Sequence, residues 1–162
     1  MKFKEAVGSV DLYAQGITVP VQNTSASVIP VGAVVMIDVT NWQLNQMDAQ
    51  PYIPVLPATA LRVTQALGVV VGNDLQVAPN STGPFIASGP GVGQVVPFGI
   101  VSVLKANNEA WVGGELLTVS AQNGLATKAG ATPAVGSIIG VALPDAVTVP
   151  TPAYGDMFFT KM

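Results

Sequence analysis

Glu115-Leu116-Leu117-Thr118-Val119-Ser120 is followed by Ala121-Gln122-Asn123-Gly124 and then by Leu125-Ala126-Thr127. Two short apolar runs therefore meet at an Asn-Gly pair, the strongest local hairpin signal in the chain. The favoured tight turn needs positive φ at both central positions, and Asn and Gly tolerate it. Upstream lie Ala110-Trp111-Val112 and Gly113-Gly114. Downstream, past a Gly/Ala/Pro-rich link, comes Ser137-Ile138-Ile139-Gly140-Val141-Ala142. The rest of the chain repeats this theme of short β-rich runs cut by Gly and Pro. The expected fold class is all-β: a small β-barrel or sandwich of short antiparallel strands with long Gly/Pro-rich loops.

Working outward, residues 1–30 read as an extended N-terminal arm or edge strand, and 31–162 as a single domain. Ile17-Thr18-Val19-Pro20-Val21 alternates, and Pro20 assigns it to an edge, because proline donates nothing to a ladder. Ala33-Val34-Val35-Met36-Ile37-Asp38-Val39 is a strand ended by Asp38. Asn41 to Pro57, with Pro51, Pro54 and Pro57, reads as a long loop with extended segments. Pro57 to Ala66 reads equally as a short helix or as a strand from Leu61. Gly68-Val69-Val70-Val71-Gly72 is a buried strand. Asn80 to Gly93 is a Ser/Gly/Pro loop carrying Phe85-Ile86. Gln94 to Leu104 holds two strands, and Gly155 to Lys161 closes the chain. Leu67-Gly68-Val69, Phe98-Gly99-Ile100 and Ile139-Gly140-Val141 echo one another. Such glycines permit bends or close backbone approach.

The 162 residues fit one domain, and 49% of them are hydrophobic. Only 9% are charged, against about 25% in an ordinary soluble domain. That deficit points to surface covered by partners, with a Ser/Thr/Asn/Gln surface as the bland alternative. The net charge is −3, and the six basic residues are scattered. Without a basic patch, nucleic-acid binding is not expected. No apolar run reaches the length of a membrane span, and the start, Met1-Lys2-Phe3-Lys4-Glu5, does not read as a secretory signal.

Histidine and cysteine are absent. Ser-His-Asp and Cys-His nucleophiles are thereby removed, with most zinc, copper and haem ligation. No catalytic residue, metal or cofactor is expected. Of the nine acidic residues, most sit beside turn formers, where a carboxylate bonds nearby backbone. A glycosidase-like carboxylate pair among them is the enzymatic alternative. Gly89-Pro90-Gly91-Val92-Gly93 lacks the remaining features of a phosphate-cradling loop. Asn23-Thr24-Ser25 and Asn80-Ser81-Thr82 match the N-glycosylation triplet and read as chance matches in polar loops.

Several motifs fall in a recurring order: Gly32-Ala33-Val34-Val35, Gly68-Val69-Val70 and Val95 through Val101. Then come Gly113-Gly114-Glu115-Leu116, Asn123-Gly124, Ile139-Gly140-Val141-Ala142-Leu143 and Gly155-Asp156-Met157. In this order the chain resembles the small capsid decoration, or cement, proteins of tailed bacteriophages. The resemblance covers Gly32 to Lys161, most clearly from Val95 onward, and departs from the plan at Asn41 to Pro57 and Asn80 to Gly93. It implies a non-enzymatic virion protein on the outer surface of a phage head. Such a protein bridges neighbouring major capsid subunits, commonly as a homotrimer. On this view the arm (Phe3, Lys4, Val7, Tyr13, Ile17, Val19) contacts the capsid, and Trp42 and Tyr52 serve self-association. An arm strand adding to a sheet edge of the shell would gain backbone hydrogen bonds. The alternative is a head-fibre or tail-associated carbohydrate-binding β-module, in which Trp42 or Tyr52 stacks on sugar.

Overall fold

The computed structural model describes residues 18–42, 52–72, 85–86, 88, 91–144 and 154–162, and the structure below is that of those residues. Twelve strands follow in order. They are β1 (Val19–Asn23), β2 (Ile29–Pro30), β3 (Val34–Ile37), β4 (Ile53–Pro57), β5 (Ala66–Gly72), β6 (Phe85–Ile86), β7 (Gly91–Val96), β8 (Gly99–Leu104), β9 (Leu116–Val119), β10 (Ala126–Lys128), β11 (Gly140–Ala142) and β12 (Tyr154–Phe159). Short 3-10 turns occupy Ala60–Gln65 and Ala106–Asn108. The first half closes into a barrel, β1-β4-β3-β5-β7, capped by the β2-β6 ribbon. The second half is a five-stranded sheet, β10-β9-β11-β12-β8. The all-β expectation holds, in the form of a barrel with a sheet packed against it.

Two expectations change. First, β1 is not an edge: it pairs with β4 on one side and β7 on the other. Pairing with β4 begins only at Val21, so Pro20, opposite Gln94 of β7, falls where β1 has a single neighbour. Part of the expected N-terminal arm, from Val19 onward, is thus barrel wall. Second, the strands are not all antiparallel, because β1 and β4 run parallel. A closed ring of an odd number of strands cannot alternate direction all the way round, so one parallel pair is unavoidable.

The expected 41–57 loop ends in the genuine strand β4, despite two prolines. The carbonyl of Val55 faces β1 and accepts the Thr24 N–H at 3.1 Å. The carbonyl of Pro54 faces β3 and accepts the Asp38 N–H at 2.9 Å, at the end of that ladder. By alternation Pro57 faces the β1 side, beyond the last β1–β4 pair at Asn23 and Val55. Both missing donors therefore fall at ladder ends, where proline costs least. Gly91 to Gly93, expected in a loop, begin β7, and Phe85-Ile86 form β6 against Ile29-Pro30. The ambiguous Pro57 to Ala66 segment is a 3-10 turn leading into β5.

Alternation along β3 and β5 explains their unbroken apolar runs. Val35 and Val70 point into the barrel, among Val21, Val55, Val95, Ile29 and Ile86. Val34, Met36 and Val69 point the other way, onto Val101, Leu117, Val119, Met157 and Phe159 of the sheet. A strand buried on both faces needs hydrophobic residues at every position. Close approach explains two members of the glycine echo. A Cβ on Gly68 would lie 2.4 Å from the Val96 carbonyl oxygen, and one on Gly140 2.4 Å from that of Phe158.

The Asn-Gly turn joins the two halves. β9 and β10 pair antiparallel, but the loop between them is longer than the expected tight turn. Val119 lies opposite Ala126, and the Ser120 N–H reaches the Leu125 carbonyl at 2.8 Å. The Leu125 N–H bonds the Gln122 carbonyl at 3.2 Å, and of the two central residues only Gly124 has positive φ, +80°. This is the type II pattern, with glycine third. The tip reaches the barrel: the Gly124 N–H donates to the Ala58 carbonyl and its own carbonyl accepts the Val34 N–H, each at 2.8 Å.

Gly124→Ala should lower stability by about 1–2 kcal/mol, the usual penalty for a side chain in the left-handed region. Gly130→Ala, where a Cβ meets nothing within 4 Å and φ is not positive, should be neutral or slightly stabilising. Urea denaturation of both variants checks this; equal effects would remove the special role of the turn.

Candidate functional site

Asp38, Glu109 and Glu115 each have a place in the architecture. Asp38 follows β3 and is buried. Its carboxylate accepts the Thr24 hydroxyl and the Asn41 side-chain amide, each at 2.6 Å, and the backbone N–H groups of Thr40 (3.1 Å) and Asn41 (3.4 Å). Burial alone would raise its pKa. The hydrogen bonds from Thr24 and Asn41, then from the backbone, outweigh it and hold the group below the ordinary carboxylate range. Asp38 is thus a ladder terminator that fixes the β1–β2 and β3–β4 connections. Asn23 of the glycosylation-like triplet is fully buried, with its amide on the Ser27 carbonyl at 2.8 Å. It is not presented to a modifying enzyme.

Glu115 caps the turn before β9 by accepting the Val112 N–H at 2.7 Å, and it pairs with Lys128 at 3.0 Å. The Val112 bond, then Lys128, holds its pKa below the usual value. The ion pair is about one-third exposed, so its contribution is small. Glu109 accepts the Trp111 indole N–H at 3.2 Å and the Lys128 backbone N–H at 2.9 Å. Trp111 is buried with the Lys105 ammonium 5.0 Å from its ring centroid, a cation–π contact. Lys105 also bridges to Ala126, which curls the β8 end of the sheet toward β10. A Cβ on Gly155 would strike both Lys105 and Trp111, so the Gly-Asp of the closing strand makes room for this stacked pair. Among the described residues no three metal-ligating side chains cluster, and no helix is long and apolar enough to cross a membrane.

Of the residues expected to meet the capsid, Phe3, Lys4, Val7, Tyr13 and Ile17 lie outside the described residues. Val19 is half-buried in β1, opposite Val95 and packed on the barrel core. Trp42 is half-buried and Tyr52 is exposed. Both sit on the β3–β4 connection, whose residues 43–51 lie outside the description. The expected self-association pair is therefore on one connection of the barrel.

A feature missed from sequence lies on the opposite face of the second sheet. Registers place Leu116, Val141, Phe158 and Ile100 side by side across β9, β11, β12 and β8. Phe98 extends the row, its ring edge-on to Phe158 at 5.2 Å. Phe98 is 64% exposed, and Leu116 and Ile100 are each 39% exposed. Asp156 is the one charged strand residue on this face among the described residues. The signal was available. In Gly99-Ile100-Val101-Ser102-Val103 and Asp156-Met157-Phe158-Phe159, residues of both parities are apolar, although one face already suffices for the core.

The chain matches no family model and no curated protein sequence. It is similar in structure to the N base of the head fibre gp8.5 of bacteriophage phi29. The two superpose with a TM-score of 0.48 at 13% sequence identity, over 90% of this chain and 98% of that one.

Asp38→Asn should cost about 1–3 kcal/mol at neutral pH, since it weakens a buried acceptor that serves several donors. The native carboxyl has a lowered pKa, so the unfolded chain binds the proton more tightly. The stabilisation is complete above the unfolded value and disappears as pH falls through the folded one. Native stability should therefore drop below about pH 4 more steeply than that of Asp38→Asn. Thermal melts from neutral to acid pH check this, and parallel curves would contradict it.

Proposed function

We propose that this chain is a structural protein of a phage virion that binds the outer surface of the head and bridges neighbouring major capsid subunits. One observation carries the reading. The chain is only 9% charged, yet large hydrophobic side chains remain exposed after both cores are filled, among them Leu61, Phe98, Val112 and Val135. Such a surface fits burial against other neutral surfaces better than life as an isolated monomer. The motif order that resembles decoration proteins supports the same reading, because its segments form the strands and turns of the double core. Asp38, Glu109 and Glu115 are engaged in turns, caps and ladder ends, which suits a non-enzymatic role.

Stabilisation in this scheme is mass action: a protein that binds only the assembled shell shifts the equilibrium toward it. Phe3, Lys4, Val7, Tyr13, Ile17 and Val19 are the proposed capsid contacts. Trp42 and Tyr52 are the proposed contacts between copies arranged as a homotrimer on the head.

Purified protein should co-sediment saturably with expanded, decoration-free phage heads and raise their resistance to heat. Deleting Met1 to Gly16 should weaken that binding while leaving the folded domain intact by circular dichroism. Absence of binding by the full chain would overturn the proposal; full binding by the truncated chain would remove the arm from it.

A further inference from the structure

We infer that the outer face of the β10-β9-β11-β12-β8 sheet is covered, in the chain free of any shell, by the chain's own N-terminal segment. Residues 10–17 lie across the row that runs from Phe98 and Ile100 through Phe158 and Val141 to Leu116. This row stands outside the core that joins sheet to barrel, and Phe98, Ile100 and Leu116 are exposed.

The place where the described chain begins selects this occupant. Val19 pairs with Val95, and β1 runs antiparallel to β7. The chain before Val19 therefore leaves the barrel at the end where β7 passes through Val96 and Pro97 to Phe98. Thr18 is the first described residue. Residues 1–17 thus continue from the Phe98 end of the row. That end is also an edge of the sheet, because β8 is its outermost strand.

The length and composition of the segment match the row. Ile100, Phe158, Val141 and Leu116 stand on four adjacent strands. Three inter-strand spacings of about 4.8 Å make a crossing of about 14 Å. About five extended residues span that distance. Val10, Leu12, Tyr13 and Ile17 place large apolar side chains in the stretch that would cross.

The size of the face separates a tethered occupant from a free one. β9, β10 and β11 are only three or four residues long. A separate molecule would have to offset its lost translational and rotational freedom on that small area. A segment joined to Thr18 loses only the entropy of closing a short loop, and its effective concentration is in the millimolar range. The inference goes beyond shell binding. Where Tyr13 and Ile17 meet the capsid, as proposed above, they leave the sheet, and docking exchanges one apolar cover for another.

The test uses the full chain without heads, so its failure leaves the proposal of shell binding untouched. The chain has no cysteine, so a spin label on Ala14→Cys is its sole paramagnetic site. The amide resonances of Ile100, Val141 and Leu116 should lose intensity in the labelled chain. Adding Val10→Ser/Leu12→Ser/Tyr13→Ser, which changes no residue of either core, should restore that intensity. No loss in the labelled chain overturns the inference. So does an equal loss with and without the three serines, the result for a tether that only passes nearby. A mixture of spin-labelled chain and unlabelled, isotope-enriched chain should show no loss. Loss in the mixture would mean that the segment of a second copy covers the face, and would overturn the inference as well.

Discussion

Two hydrogen bonds from one glycine join the sheet to the barrel. The Gly124 N–H is held by the Ala58 carbonyl and the Gly124 carbonyl by the Val34 N–H, while the Ala58 N–H bonds the Val34 carbonyl at 2.9 Å. The turn of the β9–β10 hairpin is thus stitched to the start of β3 and the residue after β4. Ala33, Val34 and Pro57 line the place where a Gly124 side chain would stand. Register follows from this anchor. With Val34 fixed against Gly124, Val34 and Met36 must face the sheet and Val35 must face the barrel interior. A slip of one residue would exchange the two sets and put every side chain of β3 on the wrong core.

The same anchor sets the division of labour between the two cores. The barrel interior is filled almost wholly by valine and isoleucine, which suits a narrow ring of five strands. The larger residues Phe159, Met157, Leu117 and Trp111 sit between barrel and sheet, where two curved surfaces leave more volume. Polar groups gather at the ends of ladders instead. Asp38 terminates β3, Glu115 closes the turn before β9, and Glu109 ties Trp111 to β10. Lys105, buried against Trp111, is the exception, and Gly155 opens the space it needs.

Much of this was legible in the sequence because local chemistry and tertiary role agree. The β-branched runs at Val34–Ile37 and Val69–Val71, the Asn-Gly turn and the Gly-Asp of the closing strand all mark real elements. What escaped depended on partners distant in sequence. Pro20 reads as an edge signal, but only the register of β4 shows that a proline can sit in a strand with two neighbours. Pro54 and Pro57 read as loop for the same reason. The Asn-Gly pair predicts a tight turn; the Ser120–Leu125 pairing and the docking of Gly124 on the barrel impose a longer one. The outward row at Ile100 and Phe158 was hidden because a strand apolar at both parities looks like β3, which is buried on both faces.

That last ambiguity decides how the composition should be read. A hydrophobic content of 49% does not by itself call for a partner, since β3 and β5 consume apolar residues on both faces. The outer strands differ. β8 and β12 spend Val101, Val103, Met157 and Phe159 on the core and still carry Ile100 and Phe158 outward. Folding gains little from those outward residues, and exposing them in water is unfavourable. The deficit of charge matters for the same reason, because an exposed strand face normally carries alternating polar residues that keep it solvated. A domain whose cores are already complete, and which still presents aromatic and aliphatic residues on a face with one carboxylate among the described residues, has the kind of surface that the proposed contact with another neutral surface requires.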